Sequence, residues 1–217
     1  MKLFSYTVRY DDGAAPNPFW GICSLVIRNP AIRLAAEVDD WIVGLGSVNS
    51  PIGDISDHIV YAMKVTSKMT LEEYDIFCKT FVPKKKPDWR NRDYRMRVGD
   101  CIYNYNSPAN PKIRTGIHKE ENQEKDLRGL YALVSKQFYY FGDLPLKLPE
   151  DLRLLMNPDP GYRSDSNQPY KELFISWIEN LDIIPNKVLG EPQLKQQYTL
   201  EKELQSLCSL RDLEEDD

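Results

Sequence analysis

Alternation of apolar and polar side chains predicts a protein built mainly from short strands. Apolar and polar side chains alternate from residue 4 to residue 10, which predicts a first strand over residues 3–10. Other runs rich in β-branched and aromatic residues predict strands over residues 19–28, 41–45, 59–65, 101–105 and 130–141, the last being the most strand-like of all. Turn-forming residues follow most of these runs, so the strands are expected to be short.

Helical patterns are fewer. Thr70 and Glu73 have the spacing of a capping box, and they predict the start of a helix that turns Tyr74, Phe77 and Phe81 towards the core. Short helices are also predicted over residues 31–36 and 150–156, and an amphipathic helix over 170–180, with a long polar loop over 107–125. The helix at 170–180 has four apolar residues at helical spacing, which are Leu173, Phe174, Trp177 and Leu181.

The order of these elements predicts the fold class α+β, because strands outnumber helices and do not alternate with them as β-α-β units. We predict one domain over residues 1–185 and a helical extension over 186–217. The end of the chain changes in character, since residues 201–217 have seven acidic side chains and two basic ones. Leucines at helical spacing predict a terminal helix there, and its acidic surface is a candidate contact for a protein partner; these are Leu200, Leu204, Leu207 and Leu210.

Composition narrows the functional class. The chain has 217 residues, of which 41% are hydrophobic, so it can bury a core and is not disordered throughout. Its formal net charge of −5 argues against holding long nucleic acid by bulk charge. No apolar run reaches the length of a membrane span, and no secretory segment is visible, so we expect a cytoplasmic protein without membrane contacts. The four cysteines lack metal or disulfide spacing and are expected to be reduced thiols.

The motifs of the common catalytic classes are absent from the sequence. It has no glycine-rich phosphate loop, no zinc-protease or zinc-deaminase signature and no nucleophile elbow. The two histidines, His58 and His118, are interpreted as surface or loop residues. We therefore predict no catalytic residue, no metal and no cofactor. Asp11 and Asp12 remain candidates for an acid/base group, because a lone carboxylate has no sequence signature.

Aromatic residues beside turns suggest a pocket for a planar base. The candidate base-binding residues combine rings with amide and hydroxyl groups, and they are Asn17, Phe19, Trp20, Trp41, Ser135 and Tyr139. Stacking on such rings contributes about 1–3 kcal/mol per base. The alternative is that these rings only pack a hydrophobic core.

A basic run over residues 84–97 is the candidate phosphate-binding element. It has seven basic and two acidic side chains, with Trp89 and Tyr94 between the charges. The guanidinium groups suit phosphate oxygens, and the four candidates are Arg90, Arg92, Arg95 and Arg97. The alternative is a solvated loop that balances an acidic protein. The overall charge favours a site for one or a few nucleotides.

Several segments resemble the second type of nucleotide modification associated domain, a family of bacteria and their phages. The resemblance begins with residues 6–25 (YTVRYDDGAAPNPFWGICSL) and continues through 30–33 (PAIR), 40–44 (DWIVG) and 46–47 (GS). It includes residues 99–103 (GDCIY), His118 and residues 134–143 (VSKQFYYFGD). The resemblance implies a role around modified bases and a barrel related to the PUA, ASCH and EVE group of modified-base readers. Asp39 and Asp40 stand where that group would have Gly-Asp, and the acidic extension lies outside the resemblance.

Three functions are consistent with this sequence. The first is binding of a modified base or nucleotide, free or in nucleic acid, in a phage or bacterial modification or counter-defence context. The second is an enzyme that makes or removes a base modification with Asp11 or Asp12. The third is a protein-interaction module that uses the acidic tail. Binding is the function we expect.

Overall fold

The computed structural model describes residues 1–107, 111–156 and 161–199, which form two main sheets and short helices. This arrangement confirms the α+β class. The larger sheet has the order β11-β1-β3-β4-β9-β12, with β10 beside β4. Its strands are β1 Leu3–Thr7, β3 Trp41–Leu45, β4 His58–Lys64, β9 Gln137–Tyr140, β10 Leu146–Lys147, β11 Tyr162–Arg163 and β12 Lys187–Val188.

The larger sheet is mixed. Strand β1 runs parallel to β3, β3 and β9 run antiparallel to β4, and β12 runs parallel to β9. The sheet ends at β11 on one side and β12 on the other, so the described residues do not form the closed barrel that the resemblance implied. The mixed sheet is therefore open.

The smaller sheet lies against one face of the larger one and has the order β2-β8-β5. Its strands are β2 Cys23–Leu25, β5 Ser67–Thr70 and β8 Tyr131–Ser135. A separate pair of two-residue strands consists of β6 Tyr103–Asn104 and β7 Lys112–Ile113. The α-helices are α1 Pro30–Ala35, α2 Leu71–Thr80, α3 Tyr94–Arg97, α4 Glu120–Leu127 and α5 Lys171–Glu179. Turns of 3-10 helix cover Pro83–Lys85, Glu150–Leu155, Asp165–Tyr170 and Lys195–Tyr198.

The two faces of the larger sheet belong to different cores. One face packs its side chains, among them Tyr6 and Tyr61, against the smaller sheet. The opposite face buries Trp41 and Tyr139 beneath α5 and the 3-10 turn at Glu150–Leu155. Strands β1, β3 and β9 contribute to both cores, because successive strand side chains point in opposite directions.

The predicted strand over residues 130–141 is two strands in different sheets. Strand β8 ends at Ser135 and β9 begins at Gln137, so the chain changes sheets at Lys136. The buried Ser135 hydroxyl donates to the Gln137 carbonyl at 2.8 Å and accepts from the Gln137 amide at 3.0 Å. The Lys136 amide donates to Thr66 Oγ1 at 3.0 Å. These hydrogen bonds satisfy backbone polar groups at the point where the chain changes sheets. One continuous apolar run can therefore contribute a strand to each sheet.

Other local predictions divide between confirmed and wrong. The strand over 41–45 and the capping box of α2 are confirmed. The strand over 19–28 is confirmed only at β2, because Trp20 and Gly21 have φ of 68° and 80° and interrupt an extended chain. The polar loop over 107–125 contains β7 and the beginning of α4.

One predicted core contact is wrong, and one apolar residue of the predicted amphipathic helix is exposed. Phe81 is 72% exposed, because it follows the last residue of α2. Leu173 is 43% exposed, because Phe174 and Ile178 form the buried side of α5.

The predicted terminal helix falls mainly on residues 200–217, which lie outside the described residues. The domain boundary at 185 stays a prediction. Before residue 200, β12 pairs with β9 and the Leu194 amide donates to the Asp11 carbonyl at 2.9 Å. Within the described ranges, none of the helices combines the length and the apolar character required to cross a bilayer.

Candidate functional site

A cleft of about 510 Å³ lies where β1 ends. Residues 6–10, the pair Arg28 and Asn29, and the segment from Ile117 to Asp126 contribute to its walls. Three sequence-distant segments therefore meet there, beside the junction of the two sheets. Its volume is in the range of small-molecule sites, which is about 300–1,000 Å³.

A histidine–aspartate pair lies in the wall of this cleft. His118 precedes α4 and Asp126 lies in its last turn, and His118 Nδ1 is 2.5 Å from Asp126 Oδ2. The Asp126 side chain is 1% exposed, while the His118 side chain is 10% exposed. The other ring nitrogen, Nε2, has no hydrogen-bond partner among residues 1–107, 111–156 and 161–199.

Hydrogen bonds hold Asp126 in its charged form. Oδ2 also accepts from the Tyr103 hydroxyl at 2.9 Å, and Oδ1 accepts from the Arg28 amide at 3.0 Å. Burial acts to raise the pKa of Asp126, but the bonds from His118, the Arg28 amide and Tyr103 outweigh it, and the pKa is lowered. An ionised carboxylate requires His118 Nδ1 to be the donor, so Nε2 of neutral His118 has a free lone pair.

Arg33 on α1 fixes the backbone around this pair. Its fully buried guanidinium donates to the carbonyls of Arg28, Tyr131 and Asp126 at 2.9, 3.0 and 2.5 Å. Burial lowers the pKa of Arg33 to about 10, which leaves it charged near neutral pH. A Cβ at Gly129 would lie 2.2 Å from its Cζ atom, so only glycine fits beside the guanidinium.

Arg28 lies in the cleft wall and contacts the loop that follows β1. Its side chain forms an ion pair with Asp12, and its Nη1 donates to the Tyr10 carbonyl at 3.2 Å. Arg28 and Asn29 have φ of 60° and 40°, in the left-handed region that residues with side chains rarely adopt. Strained backbone of this kind is found preferentially at functional sites.

The open side of the cleft is cationic. Arg9 and Lys125 are exposed in its wall and form no ion pair with any of the described residues. Tyr10, which is 56% exposed, also contributes to the cleft wall. These groups give the cleft two unpaired positive charges and one accessible aromatic ring.

The predicted acid/base candidates are interior residues. Asp11 is fully buried, and the single proton of the Tyr140 hydroxyl is shared between its two carboxylate oxygens, which lie 2.8 and 2.7 Å from the hydroxyl oxygen. Burial raises the pKa of Asp11 to about 7. Asp12 is buried against Arg28. Neither carboxylate lines the cleft. Asp12 is connected with it only through its ion pair with Arg28, which is a wall residue.

Asn17 belongs to a buried polar cluster. Lys85 of the basic run also belongs to this cluster and is therefore buried. Lys85 Nζ donates to Asn17 Oδ1 and Ser24 Oγ, both at 2.7 Å. Asp100 accepts from the Ser24 hydroxyl at 2.5 Å and the Tyr74 hydroxyl at 2.8 Å. Burial lowers the pKa of Lys85 and raises that of Asp100. The cluster satisfies its own polar groups, as a buried network must.

The structure does not bring the predicted aromatic base-binding residues into one pocket. Trp41 and Tyr139 lie in the core beneath α5, where the Trp41 and Phe174 ring centroids are 5.9 Å apart. Phe19 lies in the core on the other side of the sheet, in edge contact with the Tyr94 ring. Trp20 is half-buried, with Lys84 Nζ 4.7 Å and Arg95 Cζ 5.2 Å from its ring centre. Ser135 is buried where the chain passes from β8 to β9. Asn17 is buried in the polar cluster that contains Lys85.

The four predicted phosphate-binding arginines of the basic run also differ in their exposure. Arg90 and Arg92 are exposed. Arg95 is exposed and forms an ion pair with Asp93 at 2.7 Å. Arg97 is fully buried, with its guanidinium 4.7 Å from the centre of the Trp89 ring. Three of the four predicted arginines are therefore accessible to phosphate.

Sequence reasoning missed Arg28, Asp126 and the role of His118. His118 belongs to a segment that carries the family resemblance, but no recognised spacing connects it with Asp126 or Arg28. Residues separated by 98 positions meet in the bond from the Arg28 amide to Asp126. Among the described residues, no group of three or more histidine, cysteine and acidic side chains is arranged to hold a metal ion.

Fold and site together define an α+β protein with a cationic cleft and a histidine–aspartate pair in its wall. Its sequence matches the family model of nucleotide modification associated domain 2 over residues 1–200. The chain belongs to this family, and the family description associates it with nucleotide modification. No curated protein and no solved structure matches it.

Proposed function

We propose that this protein binds a modified nucleotide, free or at the end of a short nucleic-acid segment, in the cleft at the end of β1. The observation that carries the proposal is the presence around a cleft of about 510 Å³ of two cations, Arg9 and Lys125, that form no ion pair with the described residues. Membership of a nucleotide-modification family supports the choice of ligand.

The chemistry of the walls favours a nucleotide over an apolar ligand. Arg9 and Lys125 attract phosphate oxygens, and the Tyr10 ring offers a face on which a base can stack. Asn122 adds a side-chain amide to the wall, which can donate to and accept from the edge of a base. Because the protein has a formal net charge of −5, a ligand with few phosphates fits better than a long duplex.

The exposed arginines of the basic run are the competing phosphate site. Arg90 and Arg92 have no ion pair within the described part of the chain, and they do not line the cleft. We propose that they extend the contact when the nucleotide is part of a strand. A phage or counter-defence role and a protein contact through the acidic tail remain further proposals.

Calorimetric titration tests the site. The probes are dCMP, 5-methyl-dCMP, 5-hydroxymethyl-dCMP, dAMP, N6-methyl-dAMP and four-nucleotide oligomers with each base. We expect saturable binding of at least one modified form, and a Kd at least about 10-fold weaker in the double variant Arg9→Ala/Lys125→Ala, since each hydrogen bond to a charged group contributes about 1.5–3 kcal/mol.

Two further double variants distinguish the alternatives. Lys136→Ala/Lys187→Ala removes the same charge from exposed positions outside both sites, and its Kd should equal that of the unmodified protein. Arg90→Ala/Arg92→Ala should weaken only the oligomers. Loss of mononucleotide binding in Arg90→Ala/Arg92→Ala, with none in Arg9→Ala/Lys125→Ala, would move the site to the basic run. Absence of binding to every probe would refute the proposed function.

A further inference from the structure

His118 has the arrangement of a general base rather than of a structural ion pair. One ring nitrogen is fixed by a buried carboxylate at 2.5 Å, and the ring forms part of the cleft wall. Asp126 is itself held by the Tyr103 hydroxyl and the Arg28 amide. An imidazole oriented in this way, with Nδ1 fixed and Nε2 without a hydrogen-bond partner among the described residues, is suited to proton abstraction.

The surroundings of His118 also favour the charge that it would acquire. Accepting a proton at Nε2 makes the imidazole cationic, and the Asp126 carboxylate beside Nδ1 stabilises that cation. Asp126 does not have to move or take up the proton. It acts as a positioning residue, while His118 is the group that touches the reacting atoms.

We propose that the cleft hydrolyses a phosphoanhydride bond of a bound nucleoside triphosphate, with His118 as the general base. This inference rests on the proposed function, because it requires a nucleotide in the cleft. It deepens that function by naming nucleoside triphosphates as the substrate class.

The step balances without an oxidant or a further reactant. His118 Nε2 takes a proton from a water molecule while the water oxygen forms a bond to phosphorus. The bond between phosphorus and the bridging oxygen breaks, and its electron pair stays on the leaving oxygen. Attack at the α phosphorus releases pyrophosphate, and attack at the γ phosphorus releases the nucleoside diphosphate. Either group departs as an anion, and the proton on His118 passes to solvent.

The composition of the wall favours an anhydride over an ester. An alkoxide leaving group needs a proton from a general acid, whereas a phosphate or pyrophosphate leaving group does not. The wall offers one oriented base, and its unpaired cations, Arg9 and Lys125, suit the stabilisation of charge on phosphoryl oxygens. The ion pair between Arg28 and Asp12 holds a third cation at the same wall.

Product formation is the direct test. The full chain is incubated with each of the common and modified nucleoside triphosphates, with Mg²⁺ and without it, and products are separated by chromatography and identified by mass. Binding is measured separately with the analogue that has methylene groups at both the α,β and the β,γ bridging positions, which prevents cleavage at either bond. We expect a nucleoside monophosphate and pyrophosphate, or a diphosphate and phosphate, from at least one substrate.

Variants then assign the base. His118→Gln should lower kcat at least 100-fold, because general-base catalysis contributes about 10²–10⁴-fold, while analogue binding stays within about threefold of wild type. Added imidazole should restore part of the activity of His118→Ala, which a purely structural role would not allow. His58→Gln is the matched control, since His58 also lies beside an aspartate, at 2.6 Å from Asp57, outside the cleft. Asp126→Asn should lower kcat with little change in KM.

The outcomes separate this inference from the proposed function. No binding of nucleotides or analogue by the wild type would overturn both. Binding by the wild type without turnover of any triphosphate would overturn the hydrolytic inference alone. Turnover that persists in His118→Gln, or that falls equally in His58→Gln, would show that His118 is not the base.

Discussion

Replacement of Trp41 by alanine is the sharpest test of the two-core arrangement. Trp41 is 1% exposed and packs against Phe174 on the face of the larger sheet covered by α5. If Trp41 were instead a base-binding ring, its removal would weaken ligand binding and leave the fold intact. The structure predicts the opposite pattern.

The expected cost follows from the buried area. A buried aromatic side chain removes about 150–250 Å² from water, and at about 25 cal/mol per Å² the upper value for a tryptophan is about 6 kcal/mol. Because the alanine retains part of that burial and the site collapses in part, we expect Trp41→Ala to lower the free energy of unfolding by about 3–5 kcal/mol. That is a large fraction of the about 5–15 kcal/mol typical of a domain.

Urea denaturation followed by far-ultraviolet circular dichroism measures this change, and Trp41→Phe provides a milder form that stays folded. Trp20→Ala is the matched control, because Trp20 is half-buried and loses two cation–π contacts worth about 0.5–1 kcal/mol each. The reasoning is refuted if Trp41→Ala unfolds at the wild-type urea concentration and has lost nucleotide binding. That result would mean that the ring faces a ligand and not α5.

Two further predictions concern buried polar groups. Because burial raises the pKa of Asp11 to about 7, the folded state takes up a proton that the unfolded state has lost, and stability should fall as the pH rises from about 4 to 7, by up to about 4 kcal/mol. Asp11→Asn should flatten that dependence in urea titrations at several pH values, and an unchanged slope would contradict the assignment. Gly129→Ala should lower the free energy of unfolding by about 1–3 kcal/mol, since its Cβ would lie 2.2 Å from the Arg33 guanidinium. Gly116→Ala, whose nearest contact is 3.4 Å, is the control and should change stability by much less.

Local features were predictable where the controlling interactions are local. The capping box of α2 joins residues three positions apart, and Thr70 and Glu73 form it as expected. Strand β3 has the predicted bounds because its apolar run is bounded by turn residues. Strand β2 is shorter than predicted because composition does not reveal the positive φ of Trp20.

The candidate site was less predictable because its parts are distant in the sequence. The exposed arginines of the basic run were identifiable from charge, but their neighbour Lys85 turns inward to Asn17 and Ser24. Charge alone does not distinguish a lysine that faces water from one that completes a buried cluster. The pairing of His118 with Asp126 left no periodic signal.

The sequence by itself determined the α+β class, the family and the alternation that gives each strand two faces. It did so because side-chain direction, helix capping and turn formation depend on residues close together in the chain. Only the tertiary structure decided what covers each face: α5 over Trp41, and the smaller sheet over Tyr61. It also joined Arg28 to Asp126 across 98 positions. An apolar or charged side chain needs a partner when it is buried. Which residue becomes that partner depends on the path of the whole chain.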